Sequence, residues 1–192
     1  MTDKLIASHA QDAGLIMRPT LGDMLAIAGR FHVEHLSAEG RLLWEDDFDN
    51  TVVTVGKNLI LDEALAGSSW TMTGPYMGLI SSVSYSAISA SDTMSSHAGW
   101  TEAGGTNAPT FSARIACAWS AASGGSKSLS AALSFTMTGG GTLEGAFLVG
   151  GSGAVSTIGN TSGTLISAGL FASGARAVLT GDVVNVSYSM SI

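Results

Sequence analysis

The chain has 192 residues, of which 45% are hydrophobic and 12% charged, and a net charge of −7; that charge excludes the basic footprint needed to displace counterions from nucleic-acid phosphates. A single cysteine leaves no disulfide framework and fits a reducing site of synthesis. No stretch reaches the ~20 apolar residues of a membrane-spanning helix, and the charges among residues 1–18 interrupt any signal-peptide core, so a soluble protein not exported by the ordinary route is expected.

The length suits one domain with an appended arm. Sixteen of the 23 charged residues lie in the first 66 positions, and the following 126 carry only seven in a field of Gly, Ser, Ala and Thr. A surface so weakly charged is free to associate, which makes a homo-oligomer, dimer or trimer, the expected unit.

Residues 1–29 read as an N-terminal arm. It holds Gly14 and Pro19 and shows no sustained period, yet Leu15, Ile16 and Met17 are adjacent apolar residues that a free tail does not need. Leu21 to Ala28 has the pattern of one or two helical turns, with Thr20 as cap and Gly29 as stop. Leu15, Ile16, Met17, Leu21, Met24 and Leu25 are therefore the candidate contacts to a partner or a neighbouring subunit.

From Arg30 the period changes to two: Phe31, Val33 and His35 share one face, and His32, Glu34 and Leu36 the other. Ser37-Ala38-Glu39-Gly40 is a turn and Arg41 to Phe48 the return strand, giving a hairpin over 30–48. Alternation sends Glu45 and Asp47 away from Asp46, so the acidic run reads as a solvated edge rather than a calcium loop. A helix is expected over 55–66, with Val55, Leu59, Leu61 and Leu65 as its apolar stripe, Lys57, Asp62 and Glu63 in solvent, and Gly67 as stop. Tyr76 to Ser81 is a short strand. Ser91-Asp92-Thr93-Met94 resembles a capped helix start, and residues 99–109 a loop.

Beyond Pro109 the candidate strands are Thr110 to Ser120, Ser126 to Thr138, Gly141 to Val149, Thr164 to Phe171, Ala175 to Leu179 and Asp182 to Ile192. Glycine-rich turns separate them. In the last, Val184, Val186, Tyr188 and Met190 form one face. The fold class expected is all-β: an antiparallel β-sandwich of jelly-roll type over 30–192, with the arm, the hairpin and one or two short helices.

Little in this chain resembles catalytic machinery. Four histidines are present, no nucleophile elbow occurs, and the glycine-rich segments lack the spacing of phosphate or dinucleotide loops. His32 and His35 would point to opposite faces of a strand, which disfavours a metal pair. His97 is assigned a structural hydrogen bond and Cys117 the role of a small buried hydrophobe. No catalytic residue, metal or cofactor is expected. Trp70, Trp100, Trp119, Tyr76 and Tyr85 offer a sugar-stacking platform as a minor alternative to core or interface packing. A hydrolase would have to work with Asp92, Glu102, Glu144 and Asp182, the only acids in the body.

The run Phe48-Asp49-Asn50-Thr51-Val52-Val53-Thr54-Val55-Gly56-Lys57-Asn58-Leu59-Ile60-Leu61-Asp62 resembles a signature of tailed-bacteriophage virion proteins. Ser91 to Glu102, Gly145-Ala146-Phe147-Leu148 and Gly181-Asp182-Val183-Val184-Asn185-Val186-Ser187-Tyr188 extend the resemblance, which covers most of residues 30–192. It implies a capsid decoration or cement protein, made in the host cytoplasm. Such a protein sits on the capsid surface, binds the major capsid protein and contacts neither nucleic acid nor membrane. The alternative within the same group is a tail or fibre component that binds a host-surface glycan or receptor, with Trp100 or Tyr85 exposed in a groove.

Overall fold

The computed structural model describes residues 27–65 and 72–192. Among these, the elements are β1 (Ala28–Leu36), β2 (Leu42–Val52), α1 (Thr54–Leu65), β3 (Tyr76–Ser81), β4 (Thr101–Glu102), β5 (Ile115–Ala116), β6 (Ser126–Ser128), β7 (Leu133–Thr136), β8 (Gly141–Gly150), β9 (Thr164–Leu170), β10 (Arg176–Val178) and β11 (Val183–Ser191). Every pairing is antiparallel, and the hydrogen-bonded path runs β4, β3, β8, β9, β2, β1, β11, β6, with β5 beside β3, β7 beside β11 and β10 beside β8. The chain is all-β and sandwich-like, as its alternation and turn punctuation predict.

β2 joins the two layers. Its residues Leu42 to Asp49 pair with β1, whereas Asn50 to Val52 pair with β9. The first layer thus consists of β11, β1 and the start of β2, with β6 and β7 along the outer edge of β11. The second consists of the end of β2, then β9, β8 and β3, with β10, β4 and β5 alongside.

The first layer is wet on one side, and its sequence alternates accordingly. Phe31, Val33 and His35 are buried while Arg30, His32 and Glu34 lie on the outer face. Register places Phe31 beside Phe48 on one flank and Tyr188 on the other. The ring centroids lie 4.9 and 4.6 Å apart, an aromatic row across three strands. Each such pair contributes about 0.5–1.5 kcal/mol beyond its area burial. Over 42–49 β2 has only β1 beside it, and this edge is covered by the turn after β9. Asp46 accepts hydrogen bonds from the Ser173 amide and hydroxyl at 3.0 and 3.1 Å, and Arg176 lies over the Trp44 ring.

The second layer is buried on both faces. Met77, Leu79, Leu143, Leu148 and Ile166 join the main core, whereas Ile80, Phe147, Val149, Leu165 and Ala168 belong to a second cluster closed by Val53, Met94, Trp100 and Ala154. Segments 82–100 and 151–163 and the start of α1 therefore act as cover. Strands dry on both faces have no polar side to alternate with, hence the unbroken runs Tyr76 to Ser81 and Gly145 to Val149.

Several local expectations are corrected. Only the first half of the stripe expected along the helix is realised: Val55 and Leu59 are partly buried against the core clusters, whereas Leu61 and Leu65 are 50% and 81% exposed. The helix instead touches the sheet through its first turns, where Gly56 is its buried residue. A Cβ there would strike the Ile166 carbonyl, so the missing side chain sets the approach. Lys57 and Asp62 are exposed as expected, but Glu63 is half-buried. Ser91 to Met94 forms turns rather than a helix start, because the Asp92 carboxylate accepts from the Ser89 amide and Trp100 Nε1, both at 2.9 Å. Thr110 to Ser120 is a strand only at Ile115–Ala116, with isolated bridges at Thr110 and Trp119. Ser126 to Thr138 divides into β6 and β7, both returning along β11. Ala28 and Gly29 belong to β1 rather than to a helix end. The remainder of the 21–28 helix, with its cap, and the Gly67 stop lie outside the described residues.

Gly56→Ala raises intrinsic helix propensity by up to ~1 kcal/mol, yet it should lower stability by about 1–3 kcal/mol because backbone must move to admit the methyl group. Urea unfolding measures the balance, and a stabilised variant would show that the helix does not depend on this contact.

Candidate functional site

Leu15, Ile16, Met17, Leu21, Met24 and Leu25 lie outside the described residues, but the structure fixes where their segment joins the body. Ala28 pairs with Ser191, at one end of the sandwich. At that same end the main core opens to the surface in a groove of about 550 Å3, with Leu148 and Ile166 among its lining residues. Ile60 of α1, Pro75, Trp119, Met190 and Ile192 also line it. Leu148 and Ile166 are core residues only 1% and 4% exposed, so the floor of the groove is formed by the buried core. Its residues come from α1, from both layers and from the segment before β6, a set that no local sequence window displays.

The opposite end is closed by a polar bond. His35 Nε2 and Asp182 Oδ2 are 2.7 Å apart and buried, and the Asp182 carboxylate also accepts the Leu179 amide at 2.8 Å. Burial alone would raise the Asp182 carboxyl, but the Leu179 amide and the His35 ring outweigh it and hold the group below its ordinary value. The pair ties the β1–β2 hairpin to the turn between β10 and β11.

A second buried polar bond fastens the cover of the second layer. Arg114 donates from Nε and Nη2 to the two oxygens of Glu102 at 2.7 and 2.8 Å, a bidentate pair. Arg114 also donates to the Asn160 and Val155 carbonyls, and Glu102 accepts the Gly159 amide. Sequence reading missed this pair: Arg114 follows an apolar residue in a stretch taken as a strand, and nothing local marks it as buried.

Other groups with chemical potential are similarly committed. His32 and His35 do face opposite sides; His32 lies outside, 3.4 Å from Asp47. The His97 ring Nδ1 is 3.0 Å from the Trp100 carbonyl, and its ring stacks on that indole. Burial pushes the Cys117 thiol up to about 12, which suits a packed hydrophobe rather than a nucleophile. Burial also raises the carboxyl of Glu144, and the phenol of Tyr85 is raised by burial and then by the Glu144 charge. Among the described residues, no three His, Cys, Asp or Glu side chains are grouped to hold a metal ion, and no helix is long and apolar enough to cross a membrane.

The aromatic residues considered for sugar stacking do not form one platform. Trp100 is 1% exposed and, with Tyr76 and Tyr85, belongs to the cluster on the outer face of the second layer. Trp119 packs against the main core on the other side. Trp70 lies outside the described residues.

Two outcomes follow from the buried polar bonds. Arg114→Ala should destabilise the fold by about 3–5 kcal/mol, because it leaves Glu102 buried without its counter-charge; equilibrium unfolding in urea gives the value, and a loss within that of a surface substitution would remove the pair from its structural role. Asp182 has a lowered carboxyl value, so its stabilisation is complete above about pH 5 and is lost as pH falls through the folded-state value, below the ordinary ~3.9. The stability difference between the wild type and Asp182→Asn should therefore shrink as pH falls below about 5. A gap that widens in acid would contradict this assignment.

Searches with protein-family models, among curated proteins and among solved structures find no match to this chain.

Proposed function

We propose that this chain is a virion structural protein of a tailed bacteriophage, a capsid decoration or cement protein with a jelly-roll-like body that binds the major capsid protein lattice and stabilises the head. The observation that carries the reading is where the virion-like motifs fall. Phe48 to Asp62 comprises the corner of β2 and the close contact of α1. Ser91 to Glu102 contains Asp92, Trp100 and Glu102, the hydrogen-bonded cover of the second layer. Gly145 to Leu148 is the centre of β8, and Gly181 to Tyr188 holds Asp182 and the inner face of β11. The motifs that resemble virion proteins are thus the ones that build this sandwich.

A cement protein works by burying interface area between shell subunits, which shifts the shell toward its assembled form by mass action. The weakly charged body suits close packing among copies. The N-terminal segment supplies apolar contacts through Leu15, Ile16 and Met17.

Purified protein mixed with expanded capsids should bind saturably in hundreds of copies per shell and raise the temperature at which the shell opens. Replacing Leu15, Ile16 and Met17 together by Asp should reduce occupancy at least tenfold without changing the far-ultraviolet circular dichroism of the free protein. A few copies confined to tail or neck, or competition of cell attachment by glycans, would transfer the chain to the tail or fibre role.

A further inference from the structure

We propose that the seam between β5 and β7 is a slot that takes a short, uncharged, extended segment of the major capsid protein as an added strand. The inference deepens the decoration reading and rests on it for the identity of the partner. Followed round the molecule, the pairings β7, β11, β1, β2, β9, β8, β3 and β5 bring the last strand back to face the first. The two facing stretches are joined only at their ends. Thr110 and Gly139 exchange backbone hydrogen bonds at one end; at the other, Ser130 donates to Ala118 and Ser120 to Ser128. Among the described residues, no backbone hydrogen bond joins 111–117 to 131–137. A cleft of about 360 Å3 lies there, lined by Phe111 to Ala116 and by Ser134 to Thr136.

Both walls offer strand edges. The Met137 amide donates to the Asp182 carbonyl, toward β11; alternation then turns the N–H and C=O of Ser134 and Thr136 away from β11 and into the cleft. Opposite them the Cys117 amide donates to the Pro75 carbonyl, on the β3 side, so Ala116 presents its N–H and C=O to the cleft. Donors and acceptors on two facing edges match the backbone of an extended peptide, which bonds on both flanks. Exposed edges are ordinarily guarded by lysine, proline or a bulge, and this one is not. Ser112, Ala116, Ser134 and Thr136 are exposed, short and uncharged, while Arg114 is turned inward to Glu102. Phe111 and Phe135, in edge contact at 5.2 Å, lie at the floor, so small or apolar inward side chains suit the segment. The closures at both ends exclude a long strand, and with it the open-ended stacking of copies along this edge. On the β7 side they leave residues 131–137 between them, about 23 Å of strand, which admits a run of roughly three or four residues that enters and leaves on the solvent side.

The test uses the full chain and expanded capsids, read residue by residue by hydrogen exchange and mass spectrometry. In the free protein the Ser134 and Thr136 amides should exchange at least tenfold faster than that of Phe135, which is paired with Val184 of β11. On the shell both should slow at least tenfold. Protection already present in the free protein would assign the slot to the chain itself or to a second copy and overturn the proposal, as would unchanged exchange on shells that do bind the protein. Independently, Thr136→Pro removes an amide that faces the cleft and leaves the β11 ladder intact. It should cut shell occupancy at least tenfold, whereas Thr136→Ala, which keeps the amide, should bind as the wild type does. Equal occupancy by the two variants, with wild-type binding intact, would sink the slot and spare the decoration reading. Failure of the wild type to bind shells at all would overturn both.

Discussion

Burial of the β3, β8 and β9 layer on both faces is the constraint from which the other features follow. A sheet with one dry face needs one partner layer; a sheet with two needs a second cover, and this chain has a single described helix to offer. Irregular segments supply the rest. Backbone in such cover must find hydrogen-bond partners away from regular ladders, and side chains provide several of them: Asp92 holds Ser89 and Trp100, while Glu102 and Arg114 hold the backbone around Asn160. Three of the seven charged residues beyond position 66, Asp92, Glu102 and Arg114, serve this purpose.

The two layers were legible in the sequence to different degrees, and the reason is solvent. Phe31, Val33 and His35, or Val184, Val186 and Tyr188, alternate with polar neighbours because their layer has a wet face, so strand, face and hairpin could all be read. The strands of the second layer were recognised from apolar runs between glycine turns, but an uninterrupted run does not say which residue faces which core. Leu79 and Ile80 are adjacent, equally apolar and in different clusters.

Where local reasoning failed, the same chemistry served a different geometry. Asp92 has the character of a helix cap, an acceptor for nearby amides, and it performs that task within turns. Leu61 and Leu65 continue an apolar pattern past the point at which α1 leaves the sheet. The Arg114–Glu102 bond joins residues twelve positions apart, beyond the range of any periodicity. The groove is harder still, since its walls extend from Ile60 to Ile192 and only the closed fold assembles them.

The shared strand β2 also makes the molecule a single mechanical element. Tension applied at the β1–β2 hairpin passes along covalent backbone through Asp49 and Asn50 into β9, instead of acting only on side-chain contacts between two separable sheets. The layers cannot slide apart without bending that strand or breaking its hydrogen bonds on one flank. A body built this way carries a load from one face to the other as a stiff link, whatever surface it is fastened to.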